Sequence, residues 1–165
     1  MKKIMIVSDT HKNQALLRKA FENESGVSHI FHLGDDYGDM DENFDLLENR
    51  ILVKVPGLYH DGYRDGSIPR IQTVEIAGWK FQLAHFVKDI NAIPADIIVI
   101  FYGHTHRWNF KKLDDIYFVN PGHLKNFFDR GNEATYLILE VTPDKLDFRF
   151  KNIENKTYLR KIVLK

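Results

Sequence analysis

The stretch Gly103-His104-Thr105-His106 sets two imidazoles one residue apart, directly behind the apolar run Ile97 to Tyr102. Histidines at that spacing reach one metal ion or two neighbouring ions. Other nitrogen and oxygen donors recur at the same kind of position. Asp9 and His11 follow the apolar Ile4 to Val7, Asp35 follows Ser28 to Leu33, His60 follows Ile51 to Val55, and His85 follows Trp79 to Ala84. Carboxylates gathered at one edge repel each other unless a cation lies between them. A chain that brings Asp9, Asp35 and these histidines together is therefore expected to hold cations there. The donor set suits Mn²⁺, Fe, Zn²⁺ or Ni²⁺ better than Mg²⁺ or Ca²⁺, which prefer all-oxygen shells.

What must position these donors is a set of short buried strands. Ile4 to Val7, Ser28 to Leu33, Ile51 to Val55 and Asp96 to Tyr102 are apolar runs of the length of strands covered on both faces. Open α/β sheets keep their ligands at the carboxyl ends of such strands, and Gly103 is expected to turn the chain sharply at one of them. Between the first two runs, Leu16, Leu17, Ala20 and Phe21 recur at helical spacing and predict a helix over 13–22. Phe44, Leu46 and Leu47 suggest a second, short helix. Tyr63 to Pro69 reads as loop, with Gly62, Gly66 and Pro69 as breakers. Beyond it the period changes to two: Ile71 to Ile76 and Trp79 to Ala84 read as a hairpin around Gly78. Asn109 to Leu113, Ile116 to Val119, Thr135 to Val141, Leu146 to Lys151 and Tyr158 to Leu164 read as further strands. Strand and helix alternate in the first half, and strand dominates the second. The expectation is an α/β layered architecture of two packed sheets with helices outside, one domain over residues 1–165.

The bulk composition narrows the chemistry. At 165 residues without cysteine, disulfides, thiolate metal sites and cysteine nucleophiles are excluded. Lys plus Arg and Asp plus Glu are both 23, so no net basic field favours strong nucleic-acid binding. No apolar run approaches the roughly 18 residues of a membrane span, and only four apolar residues follow Met1-Lys2-Lys3, too few for a secretory signal. A cytoplasmic protein is the expectation.

Asp9-Thr10-His11, Gly34-Asp35, His85, Gly103-His104-Thr105-His106 and Asn120-Pro121-Gly122, taken in series, resemble the motifs of the calcineurin-like metallophosphoesterases. The small single-domain bacterial and archaeal phosphodiesterases are the most similar branch. The resemblance implies a four-layer β-sandwich of two mixed sheets flanked by helices, with two divalent metal ions at its apex. It implies that Asp9, His11 and His106 hold one ion, that His85 and His104 hold the other, and that Asp35 bridges them. Two ions about 3.5 to 4 Å apart share a hydroxide and clamp phosphoryl oxygens during in-line displacement. The implied activity is hydrolysis of a phosphate ester, a small phosphodiester above all, with Asp35, His60 and His85 as candidate catalytic residues. Asn120-Pro121-Gly122 is expected to line the site as support.

The chain also departs from that pattern. Where the family carries Gly-Asn, this sequence reads Gly57-Leu58-Tyr59-His60-Asp61, and leucine coordinates nothing. Either His60 or Asp61 replaces the amide, with His60 then a metal ligand, or His60 is an exposed loop histidine and the second ion site is weakened. Phe86 replaces a glycine and His123 a serine. A weakened site gives the alternative expectation, a scaffold for protein interaction like the metallophosphoesterase-like subunit of retromer. His29 and His32 are expected to be core or edge histidines with satisfied ring nitrogens. Arg107 and Arg130 could pair with phosphate, but surface solvation is the simpler expectation.

Overall fold

The computed structural model describes all of residues 1–165. β1 (Lys2–Val7), α1 (Gln14–Glu22), β2 (His29–His32), α2 (Asp39–Glu42), β3 (Ile51–Lys54) and α3 (Asp61–Arg64) form the first part. There follow β4 (Ile71–Ile76), β5 (Trp79–Ala84), β6 (Ile97–Tyr102), β7 (Asn109–Leu113), β8 (Ile116–Asn120), β9 (Phe128–Asp129) and β10 (Asn132–Glu133). β11 (Thr135–Val141), β12 (Lys145–Asn152) and β13 (Thr157–Leu164) close the chain. One sheet runs β13-β12-β11-β1-β2-β3, the other β4-β5-β6-β8-β7, and β9 pairs with β10 alone. Both large sheets are mixed, as the resemblance implies. No helix is long and apolar enough to cross a membrane.

The register explains why the donors meet. β1, β2 and β3 are parallel, with Val7 beside His32 and His32 beside Lys54. β5, β6 and β8 are also parallel, with Ala84 beside Tyr102 and Phe101 beside Val119. Parallel strands in register finish at one edge, so the residues that follow them are neighbours although far apart in sequence.

Alternation along β1 and β2 assigns their side chains to two layers. Ile4, Ile6, Phe31 and Leu33 face the other sheet and pack with Phe81, Leu83, Val99 and Phe101. Phe31 meets Phe81 and Phe101 edge-on, and those two tilt against each other, with centroids 5.8 to 6.3 Å apart. Met5, Val7 and Ile30 face outward against Leu16, Leu17, Ala20 and Phe21 of α1. Burial on both faces is why these strands read as continuous apolar runs. Asn13 caps α1 by accepting the Leu16 N–H at 3.1 Å, which satisfies one of the unpaired amides at the helix start.

The longer elements lie within one or two residues of their expected bounds. Three short features carry no hydropathy signal: α2, α3 and the β9–β10 hairpin. α3 takes Tyr63 and Arg64 out of the expected loop. α2 is held by a buried polar network, since Asp39 bonds His32 Nε2 at 3.0 Å, Gln14 Nε2 at 2.8 Å and the Thr10 hydroxyl. His32 also accepts the Gly34 N–H through Nδ1, so both its ring nitrogens are satisfied. His29 Nδ1 meets Ser28 Oγ at 2.9 Å.

Away from the strand ends, Glu24 is buried beneath Lys3, Lys151 and Tyr136. Burial alone works to raise its carboxyl pKa, but the two ammonium groups bonded to it outweigh that and hold it below the usual 4.5. A carboxyl depressed in the folded state stabilises the fold above its unfolded pKa, and that stability is lost as pH falls through the folded value. Glu24→Gln is therefore expected to lower the thermal midpoint most at neutral pH, with the gap from wild type closing in acid below about pH 4.5. Melting curves of both proteins across that range check it.

Candidate metal centre

The turns after β1, β2 and β6 place their donors by an uncommon backbone device. Asp9, His11, Asp35, His104 and His106 all have left-handed φ values, between 46° and 69°. For non-glycine residues this region is sparsely used, although Asp and His enter it more readily than most. Such strain persists where surrounding structure over-determines it, and it concentrates at functional sites. Gly103 does not take a left-handed turn; His104 does. What Gly103 supplies is space, because a Cβ there would lie 2.0 Å from Ser8 Oγ and 2.9 Å from Asp9 Oδ2.

Four donor atoms, one each from Asp9, His11, Asp35 and His106, lie within 4.8 Å of one another. His106 Nε2 stands 3.3 Å from Asp9 Oδ1 and 3.1 Å from His11 Nε2. His11 Nε2 is 3.4 Å from Asp35 Oδ2, and on the other side His85 Nε2 is 3.3 Å from Asp35 Oδ1. His104 packs its ring edge-on to His85 at 5.4 Å and to Phe86 at 4.8 Å. Asp35 thus has His11 on one carboxylate oxygen and His85 on the other.

The outward-facing partners of the rings fix which nitrogens are bare. His85 Nδ1 donates to the Leu33 carbonyl at 2.7 Å, an acceptor-only group, so the neutral ring points an unprotonated Nε2 at Asp35. His106 Nδ1 lies 2.6 Å from Asp129 Oδ2, which directs its neutral tautomer the same way. Asp9 Oδ2 is satisfied twice, by the Ser8 hydroxyl at 2.6 Å and the His104 N–H at 2.9 Å. Its Oδ1 has no hydrogen-bond partner, and neither has Asp35 Oδ1 nor His85 Nε2, all three buried. Buried polar atoms rarely stay unpaired. Lone pairs converging from carboxylates and imidazoles fit a divalent cation, and the residues present fit that group.

Electrostatics follow the same geometry. Burial works to raise the Asp9 carboxyl, yet the adjacent His106 and His85 rings bring it below the usual value. The Asp9 carboxylate beside it raises the His106 imidazole against the opposing effect of burial. Burial lowers His11 and His104.

Sequence reasoning missed Asp129. It sits on the β9–β10 hairpin, accepts from His106 and pairs with Lys125 Nζ at 3.1 Å. Burial opposes its ionisation, but those two partners bring its pKa down to about 2. Nothing in the segment Phe127-Phe128-Asp129-Arg130-Gly131 singles out its aspartate, and only the fold brings it under His106. His123 is buried, with its ring 5.5 Å from His106 and its Nε2 meeting the Asn132 carbonyl at 3.1 Å. Asn120 donates to the Gly103 carbonyl at 2.8 Å and to Thr105 Oγ1 at 3.1 Å, bracing the turn that carries His104 and His106.

His60 lies outside the four-donor group. Its Nδ1 accepts the Gly62 N–H at 3.0 Å and so caps α3, and its ring tilts against Tyr37 at 5.1 Å. It lines a cleft of about 650 Å³ that His11 and Asp35 also line. Arg107 lines a separate pocket with Trp108 and Tyr102, and Arg130 is an exposed side chain beside Asp129.

The similarities of the chain agree with this centre. The sequence pattern of the calcineurin-like phosphoesterase superfamily domain matches residues 1–144. A phosphodiesterase of Methanocaldococcus jannaschii is 30% identical over 137 residues, which cover 73% of this chain and 82% of that protein. A phosphoesterase from E. coli has the same fold at a TM-score of 0.74 and 20% identity, over 96% of this chain and 98% of that one. Vps29 of Chaetomium thermophilum superposes with a TM-score of 0.71 at 18% identity over 100% of both chains. Fold, donor order and sequence pattern agree, and the chain belongs to the calcineurin-like phosphoesterase superfamily, a family of hydrolases.

Proposed function

We propose that this chain acts, as one domain over residues 1–165, as a metal-dependent phosphodiesterase on a small phosphate ester. The observation that carries the reading is the set of buried, unpartnered atoms Asp9 Oδ1, Asp35 Oδ1 and His85 Nε2 beside the four converging donors. Asp9, His11 and His106 would hold one ion, and His85 and His104 a second, with Asp35 between them. Nitrogen and oxygen donors of this kind favour Mn²⁺, Ni²⁺, Fe or Zn²⁺. When bound, such a pair lowers the pKa of water to about 7 and offsets charge on the phosphoryl oxygens. The protein's own part is positional. The Leu33 carbonyl and Asp129 aim two imidazoles, Ser8 and the His104 amide orient Asp9, and Asn120 braces the turn that holds His104. In the hydrolysis a water oxygen bonds to phosphorus as the ester P–O bond breaks. The departing oxygen takes a proton, which leaves an alcohol and a phosphate monoester.

Chelator-treated protein reloaded with Mn²⁺ or Ni²⁺ is expected to cleave bis(p-nitrophenyl) phosphate. Bound metal without turnover for either ion overturns the reading. Leu58 supports a second reading, an interaction scaffold, since no side chain of the Pro56–Asp61 segment enters the four-donor group. That reading is favoured by a metal count of one or none per chain.

Groups bonded to a metal-binding histidine typically contribute ten- to hundredfold in metal affinity. Asp129→Ala is therefore expected to weaken Mn²⁺ binding by about that factor. Calorimetric titration with Mn²⁺ reads the change directly, and Asp129→Glu is expected to recover part of it.

A further inference from the structure

The cleft beside Asp35 and His11 is walled by rings. Tyr37, Tyr59 and His60 line it, and Lys12 is its one cationic side chain. Two of the rings are held in place. Lys54 Nζ lies 4.0 Å over the Tyr37 ring and bonds the Tyr37 carbonyl at 2.9 Å, while the cap on α3 fixes His60 against Tyr37. Tyr59 stands at the mouth with 74% of its surface exposed.

From this lining we infer that the cleft is a ring-binding subsite, so that the esters taken here carry a planar heteroaromatic group of nucleobase size. The inference rests on the phosphoesterase reading for its placement of the phosphate at Asp35 and His11. The polar groups of the lining, Lys12, Asp36, two phenol hydroxyls and the His60 ring, leave the three rings as its largest surfaces. A lipid chain would need an aliphatic wall, and none of its lining residues is Leu, Ile, Val or Met. Aromatic side chains stack on any nucleobase through its π-face, without reading its edge. A cleft of this volume lies in the ordinary range for small-molecule sites. The subsite therefore selects for a ring, with little choice among bases.

The test compares two diesters that differ only in the base: the methyl ester of adenosine 5′-phosphate and the methyl ester of ribose 5-phosphate. The full chain loaded with Mn²⁺ is expected to show a kcat/KM at least about tenfold higher for the adenosine ester, mainly through KM. Tyr59→Ala is expected to collapse that ratio toward one, and Tyr59→Phe to restore it. Equal values for the two esters in the wild type overturn the subsite, as does a Tyr59→Ala loss that leaves the ratio intact. If neither ester is cleaved, turnover of bis(p-nitrophenyl) phosphate decides whether the phosphoesterase reading has failed, and binding decides the subsite. Calorimetry with adenosine 5′-phosphate and ribose 5-phosphate is then expected to show about tenfold tighter binding of the former, and equal affinities overturn it.

Discussion

Asp35→Asn is expected to lower phosphodiester hydrolysis by about a thousandfold or more, and to do so through the metal centre. Asp35 faces His11 with one carboxylate oxygen and His85 with the other, at 3.4 and 3.3 Å. An amide keeps the shape but replaces one oxygen with a donor and removes the charge. The neutral side chain then balances less of a divalent ion's charge, and one of its two contacts becomes unfavourable. Stability should move in the opposite direction without metal. Asp9 and Asp35 face the same small space, and removing one of two neighbouring carboxylates relieves repulsion, a common trade between function and stability. With Mn²⁺ at about a hundred times its dissociation constant, binding is expected to stabilise the wild type by about 2.7 kcal/mol. For a chain of this length that corresponds to a rise of about 5 to 11 °C in the thermal midpoint. Asp35→Asn is expected to melt above the wild type in chelator and to show little of that rise. A variant that keeps the wild-type rate, or the full response to Mn²⁺, would sink this account.

How much of this was legible depends on whether the signal was local. β4, β5, β7 and β11 fall on the expected residues, because alternation or an apolar run records the environment of each strand directly. The convergence of Asp9, His11, Asp35 and His106 was legible for the same reason, since each follows an apolar run in a sheet whose parallel strands end together; His60 follows such a run too but caps α3 instead. α2 was not, because its four residues Asp39-Met40-Asp41-Glu42 carry no apolar stripe and depend on Asp39 meeting His32 and Thr10. Asp129 was hidden in the same way. Phe127 and Phe128 beside it are exposed, so the hairpin has no core-facing pattern, and only the return of the chain under His106 gives it a role. Gly103 was noticed for the wrong property: glycine signals freedom of φ and room for a neighbour alike, and sequence alone does not separate them.

That distinction can be measured at Gly57, whose φ lies outside the left-handed region. A Cβ there would fall 2.1 Å from Asp35 Oδ1, 2.4 Å from Asp35 N and 2.8 Å from Asp35 Cα. Two of those atoms are backbone, so rotating a side chain does not relieve the overlap. Nor can the two loops part freely. β2 and β3 are hydrogen-bonded neighbours up to His32 and Lys54, and the Val55 N–H donates to the His32 carbonyl at 3.0 Å just before the turn. Gly57→Ala is therefore expected to destabilise the metal-free protein by about 3 kcal/mol, the upper part of the usual overpacking penalty. That corresponds to a fall of about 6 to 12 °C in the thermal midpoint. Because the residue displaced is Asp35, Mn²⁺ affinity should fall with it. Gly38→Ala is the matched control. It lies in the neighbouring loop with open space at its Cβ and no left-handed φ, and is expected to change stability by no more than about 1 kcal/mol. Equal stability of the two variants would mean that the close approach of Gly57 to Asp35 does not hold that carboxylate in place. A wide gap between them, with Mn²⁺ affinity lost only in Gly57→Ala, assigns the glycine to the metal centre through contact alone.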